Sequence, residues 1–248
     1  MTFFRGGAAR VVGHRGGRGP GWPAENTLDA FERAAQEGAL AVETDARLLA
    51  TGEVILLHDP TLDASTRGED RRAIAAMSLA EASGVRLDGG LRMPLLADAL
   101  AWARDRGVAM NVEIKSDGER SLRLAAAVAR ALSRARADVL VSSFHPAPLA
   151  AIAALAPGVP RAWLTHPRHD AALDLTSRAA RAEVVRALHP ERTQVSPARV
   201  ARWKRRGLLV GVYTVNDDDE ARALAAAGVD WIITDRPGAI LRALRPST

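Results

Sequence analysis

Short apolar runs alternate with alanine-rich stretches along the whole 248-residue chain, and this alternation constrains the fold more than any other feature. The runs read as strands over Arg10–Gly13, Leu40–Ala46, Val108–Ile114, Val139–Ser142, Arg161–Leu164, Val185–His189, Leu208–Thr214 and Trp231–Thr234. The stretches between them read as helices over Leu28–Glu37, Leu95–Arg106, Glu119–Arg136, Pro146–Ala156, Asp170–Arg181, Pro197–Arg206, Asp217–Ala227 and Gly238–Leu244. Gly38, Gly107, Gly207 and Gly228 stand where helices end, as a left-handed cap position prefers. Strands that each lead into a helix, repeated through one domain length, predict an α/β fold: a (β/α)8 TIM barrel spanning residues 1–248 as a single domain. A doubly wound open sheet is the alternative, but it usually uses fewer strands at this length. No linker divides the chain, and no fixed repeat period is visible.

One piece departs from the alternation. After the second strand, Gly52 and Glu53 read as a turn into a further strand, Val54–Leu57, which ends at His58. An irregular stretch with a short helix at Ser78–Ser83 follows, giving a small insertion at about residues 60–94. A long connection after a barrel strand sits at the C-terminal face, where barrel enzymes keep their active sites.

Composition narrows the function classes. Apolar residues make up 48% of the chain, enough for a large core. The absence of cysteine excludes thiolate catalysis, disulfides and Cys-ligated zinc. No apolar run reaches ~20 residues, so no membrane span is expected. The first residues lack an apolar core followed by a cleavage site, so the chain is expected in the cytoplasm. The net charge of +5 raises the question of nucleic acid. The arginines are dispersed among acids, however, and the densest cluster, Arg202, Lys204, Arg205 and Arg206, ends a helix whose dipole it complements. No nucleic-acid partner is expected, and nothing in the sequence sets an oligomeric state.

The chemistry-bearing residues stand at strand ends. Glu43 and Asp45 are two apart, so both side chains share one strand face. Glu113 arrives at the end of the next main strand, with Asn111 and Lys115 on the same face. Three carboxylates together repel unless a proton or cation intervenes, and an all-oxygen set without thiolate suits a hard divalent cation, Mg2+ or Ca2+. His14 follows the first strand and is flanked by Gly13 and Gly16, which let backbone approach a ligand. Arg15 is suited to clamping a phosphate. His58 ends the extra strand, and two histidines across a phosphate serve as general acid and base. His145, His166, His169 and His189 read as structural or surface residues. Three carboxylates with a divalent cation leave about −1, and Arg15 with Lys115 bring the site to about +1. A phosphodiester would neutralise that charge.

The chain resembles the glycerophosphodiester phosphodiesterase family. The resemblance runs from Val11 to about Pro237. It is carried by His14-Arg15-Gly16, Glu25-Asn26-Thr27, Glu43-x-Asp45, His58-Asp59, Val112-Glu113-Ile114-Lys115, Ser142-Ser143-Phe144, Thr214-Val215-Asn216 and the closing run Gly228–Pro237. Each piece is weak alone; their order and spacing are not. The resemblance implies a TIM barrel with an insertion after the second strand. It implies Glu43, Asp45 and Glu113 as metal ligands, His14 and His58 as the catalytic pair, and Arg15 and Lys115 on the phosphate. The implied substrate is a small-molecule glycerophosphodiester, cleaved to glycerol 3-phosphate and an alcohol.

Three rivals make different demands. A lysophospholipase D-like enzyme needs an apolar entrance, which the sequence does not display. A basic barrel without catalysis predicts missing site groups. A phosphosugar lyase needs a Schiff-base lysine, and Lys115 beside Glu113 is the only candidate. Trp22, Phe144, Tyr213 and the insertion are expected around the pocket mouth.

Overall fold

The computed structural model describes residues 3–115, 120–168 and 184–245. The strands are β1 (Arg10–Gly13), β2 (Ala41–Leu48), β3 (Val54–Leu56), β4 (Ala109–Ile114), β5 (Val139–Ser143), β6 (Arg161–Thr165), β7 (Ala187–Pro190), β8 (Leu209–Val212) and β9 (Trp231–Thr234). The helices are α1 (Leu28–Gln36), α2 (Leu79–Gly84), α3 (Leu96–Arg106), α4 (Arg120–Arg134), α5 (Pro146–Leu155), α6 (Pro197–Arg205), α7 (Asp218–Ala226) and α8 (Pro237–Ala243). The predicted helix over Asp170–Arg181 lies outside the described residues, as does His169.

Hydrogen-bonded strand order runs β1-β9-β8-β7-β6-β5-β4-β2, and a β1–β2 pairing closes the ring. All of these pairings are parallel, so the predicted (β/α)8 barrel is the observed fold. Strand β3 pairs antiparallel with β2, bridges to Leu95 through Ile55, and stays outside the ring. The strand predicted to reach Thr214 stops at Val212, beyond which Tyr213 only bridges to Glu191.

Alternation along each strand separates two cores. Val42, Ala46, Met110, Val112 and Ile114 face outward and pack under the helices. Helix α1, for example, buries Ala30, Phe31 and Ala34 and starts at Thr27, whose hydroxyl accepts from the Ala30 N–H. Inward-facing Val12, Ala41, Ala109, Leu140, Ala162, Ala187, Trp231 and Ile233 fill the barrel, with Phe4 among them. Phe4 meets Trp231 edge to face, with ring centroids 5.5 Å apart. The Trp231 ring occupies space a side chain at 211 would need: a Cβ on Gly211 would lie 1.8 Å from its Nε1. That nitrogen donates to His189 Nε2 at 3.0 Å. His189, read from the sequence as a structural or surface residue, is structural: it is fully buried within the barrel, and burial pushes its pKa down to about 3.

The segment between β2 and α3 builds a small core of its own from Leu49, Ile55, Leu57, Leu62, Ile74, Met77, Ala82, Val85 and Leu87. Helix α2 starts with a capping box: the Ser78 hydroxyl accepts from the Glu81 N–H, and the Glu81 carboxylate accepts from the Ser78 N–H.

Candidate active site

Inward alternation carries each strand from apolar residues into polar ones at its C-terminal end. On β2, Ala41 is followed on the same face by Glu43 and Asp45; on β4, Ala109 is followed by Asn111, Glu113 and Lys115. Register sets Glu43 beside Asn111 and Asp45 beside Glu113. Above β1, Gly13 leads to His14. A cavity of about 260 Å³ opens here, lined by residues including His14, Arg15, Glu43, His58, Glu113 and Lys115. The seven residues singled out in the sequence for chemistry, His14, Arg15, Glu43, Asp45, His58, Glu113 and Lys115, therefore meet at one place, with Asp45 fully buried beneath the cavity.

Glu43, Asp45 and Glu113 each offer an oxygen within 4.8 Å of the others, and all three are buried. Burial, Asp45 and Glu113 push the Glu43 carboxyl well above its ordinary range, and burial raises Glu113 as well. Burial also works against the ionised form of Asp45, but Lys115 and Arg15 outweigh it and hold that carboxyl low. The Lys115 ammonium bridges Asp45 at 2.8 Å and Glu113 at 2.9 Å. A buried all-oxygen set whose members resist ionising side by side fits a hard divalent cation. Arg15 has its Nε 3.1 Å from Asp45 and donates through Nη1 to Glu25 at 2.7 Å.

Backbone geometry around Arg15 is demanding. Arg15 has φ 52° and Gly16 has φ 89°, in the left-handed region that costs a non-glycine residue about 1–3 kcal/mol. Hydrogen bonds on both sides hold it: the Arg15 N–H donates to Glu43 Oε2 at 3.0 Å, and the Asn26 N–H donates to the Arg15 carbonyl at 3.0 Å. A Cβ on Gly16 would stand 2.7 Å from the Ala30 backbone, so the loop lies tight on α1.

Each histidine commits one ring nitrogen to a carboxylate. His14 Nδ1 is 2.7 Å from Asp235, and His58 Nδ1 is 2.8 Å from Asp59. Burial lowers the pKa of both rings, which outweighs the opposing pull of those carboxylates. His58 is anchored from β2, where the Arg47 guanidinium donates to the His58 carbonyl at 2.9 Å.

A family model described as the glycerophosphoryl diester phosphodiesterase family matches residues 14–239. The chain belongs to that family. A glycerophosphodiester phosphodiesterase of Caldanaerobacter subterraneus subsp. tengcongensis is 29% identical over 251 residues, covering 95% of this chain and 97% of the relative. A phosphodiesterase of Oleispira antarctica, solved in complex with the product sn-glycerol-3-phosphate, superimposes with TM-score 0.85 at 26% identity, covering 96% and 97% of the two chains. A glycerophosphodiester phosphodiesterase of Agrobacterium tumefaciens superimposes with TM-score 0.75 at 26% identity, covering 94% and 99%.

The site of this family member also contains residues to which sequence reasoning gave no role. Asp235 accepts from Arg18 Nε at 2.9 Å and from Asn216 Nδ2 at 2.7 Å as well as from His14. Asn216 Oδ1 in turn accepts from the Thr234 hydroxyl at 3.0 Å and the Asp235 N–H at 2.9 Å. The same three bonds recur around Asp45. Asn26 Nδ2 donates to Asp45 at 2.9 Å, while its Oδ1 accepts from the Thr44 hydroxyl at 2.7 Å and the Asp45 N–H at 3.1 Å. The two residues are 19 positions apart in both clamps. Asn26 to Asp45 and Asn216 to Asp235 are thus a repeated unit, with Gly38 and Gly228 in equivalent places. No fixed period betrays it because it occurs twice at opposite ends of the chain.

The pocket mouth meets expectation at Phe144 and Tyr213 and departs from it at Trp22 and the insertion. Phe144 and Tyr213 line the cavity, edge to face with centroids 6.0 Å apart. Trp22 packs on Gly17 and carries Arg33 over its ring at 5.3 Å. Beyond His58, the insertion directs its apolar residues into its own core, and none from 59 to 94 is among the described residues that line the cavity.

Proposed function

We propose that this protein hydrolyses glycerophosphodiesters to glycerol 3-phosphate and an alcohol, as a single catalytic domain over residues 1–248. The observation that carries this reading is the meeting of two histidines, buried carboxylates, an arginine and a lysine around one cavity. Glu43, Asp45 and Glu113 would hold Mg2+ or Ca2+. Such a cation, when bound, stabilises negative charge on the non-bridging phosphate oxygens. Arg15 and Lys115 would contact the same oxygens from the protein side.

His14 is the enclosed ring. In this reading Asp235 holds Nδ1–H, Nε2 carries the lone pair, and burial favours the unprotonated ring. In this reading Nε2 takes the proton of the glycerol 2-hydroxyl as that oxygen attacks phosphorus. His58 is the more open ring, with a side chain 36% exposed against 12% for His14. Burial lowers its pKa too, so in this reading it takes up a proton from solvent on Nε2, as an imidazolium paired with Asp59, and gives that proton to the departing alcohol as the phosphorus–oxygen bond breaks. A cyclic glycerol phosphate results, and water opens it with the two roles exchanged.

Ligand pockets commonly span roughly 300–1,000 Å³, and a cavity of about 260 Å³ favours small water-soluble diesters over acylated ones. The test is release of glycerol 3-phosphate from glycerophosphocholine by metal-stripped protein, with and without added Mg2+ or Ca2+. Metal-dependent release is expected, with higher kcat/KM than on the matching lysophospholipid. Full activity after chelation would remove the cation from the reading, and preference for the acylated substrate would replace the substrate class.

A further inference from the structure

Beneath the charged rim of the cavity, two neutral polar side chains lack hydrogen-bond partners. Asn111, on β4, is 1% exposed, and neither its amide nitrogen nor its amide oxygen is bonded. Ser142, on the adjacent strand β5, is fully buried, and its hydroxyl is likewise unbonded. Both line the cavity, and both continue the inward series of their strands, Asn111 level with Glu43 and Ser142 level with Glu113. Leaving such groups buried and unpaired costs stability, so their retention at the base of an open site points to a ligand that completes them.

The chemistry of the pair defines what fits. An amide presents both donors and an acceptor, and a hydroxyl presents both kinds in one atom. Neither carries charge, whereas the cations of the site, Arg15 and Lys115, stand among the carboxylates. An anion belongs with those cations. A group that both donates and accepts, without charge, belongs with Asn111 and Ser142. Phe144, Leu164 and Ile233, also in the lining, provide apolar walls that suit a short carbon backbone between the two.

We infer that Asn111 and Ser142 form a polyol-recognition floor that binds the free hydroxyls of the substrate's glycerol end, and that this floor selects a glycerol ester over a simple alkyl phosphate. The inference rests on the proposed glycerophosphodiester reading and adds to it which side chains read the glycerol. A site built to pair hydroxyls rejects an analogue lacking them more strongly than an apolar pocket could, because its own polar atoms are then stranded.

The test compares two competitive ligands of the metal-supplemented enzyme, sn-glycerol 3-phosphate and ethyl phosphate, which share a phosphate and differ in the hydroxyls. The wild-type protein is expected to bind glycerol 3-phosphate about tenfold or more tightly, the worth of one well-made buried hydrogen bond or more. Asn111→Leu combined with Ser142→Ala is expected to bring the ratio close to one while leaving ethyl phosphate affinity in place. If the double variant does not fold, Ser142→Ala alone, which removes a single oxygen, must still narrow the ratio. A ratio unchanged in the variant that folds overturns the floor while the hydrolytic reading stands, provided the wild type releases glycerol 3-phosphate. A shifted cation affinity with an unchanged ratio would place Asn111 in the cation's shell and also overturn it. A wild type that neither hydrolyses glycerophosphodiesters nor distinguishes the ligands removes both readings together.

Discussion

His14 and Asp235 illustrate how far a residue's role extends beyond its own chemistry. An imidazole with one nitrogen held by an ionised carboxylate has a fixed tautomer and a fixed aim. His14→Ala and His58→Ala are each expected to lower kcat by ~100-fold or more, the usual worth of general acid–base groups, in steady-state assays on protein with unchanged circular dichroism. Asp235→Asn keeps the shape but lets the ring take the other tautomer. It is expected to lower kcat with KM little changed and to reshape the pH–rate profile; an unaltered profile would make Asp235 merely structural. The histidines and the three carboxylates were legible because strand ends after apolar runs are where a barrel exposes chemistry. Asp235 obeys the same rule, directly after β9, yet its partner is 221 residues away, and no local pattern reports such a pairing.

At the scale of elements, the two asparagine clamps hold two different carboxylates of the site in the same way. Asn26 holds Asp45, and Asn216 holds Asp235. Their substitution is therefore expected to separate two functions. Asn26→Ala should weaken cation binding, measured by calorimetry, by about 10–100-fold, the range for partners of metal ligands. Asn216→Ala should lower kcat through His14 with cation affinity intact. Equal effects of both variants on both measurements would refute the separation. Strand β8 offers a packing counterpart. Gly211→Ala forces a methyl into the Trp231 ring and is expected to cost about 1–3 kcal/mol in urea unfolding, as overpacked cores do. The barrel strands were readable from the sequence because each is an apolar run followed by a helical stretch. The insertion was readable as irregular but not in its direction: Leu57, Leu62, Ile74 and Met77 are spaced without a period, and only tertiary packing shows that they close on one another and away from the cavity.

For the whole molecule, the buried His189 makes acid sensitivity a property of the barrel interior. An unfolded histidine takes up a proton below its ordinary 6.5, whereas the buried ring resists until about 3. Between those values the unfolded state binds more protons, so stability contributed at neutral pH is lost as pH falls through that window, by up to ~1.4 kcal/mol per pH unit from this one group. His189→Gln is expected to flatten the fall in urea-unfolding free energy between pH 6.5 and 4; an unchanged slope would assign the acid sensitivity elsewhere. The closed ring has a further consequence, for the order of events during synthesis. Of the barrel strands, β1 emerges from a ribosome before the others, and it pairs with β9, which emerges after them. The helices and the middle strands can form while that seam is still open, since their contacts are nearer in sequence. His14 meets its carboxylate only at closure. Until β9 docks, a nascent chain carries the histidine motif without the carboxylate that orients its ring, so turnover is expected to report completion of the ring rather than presence of the parts.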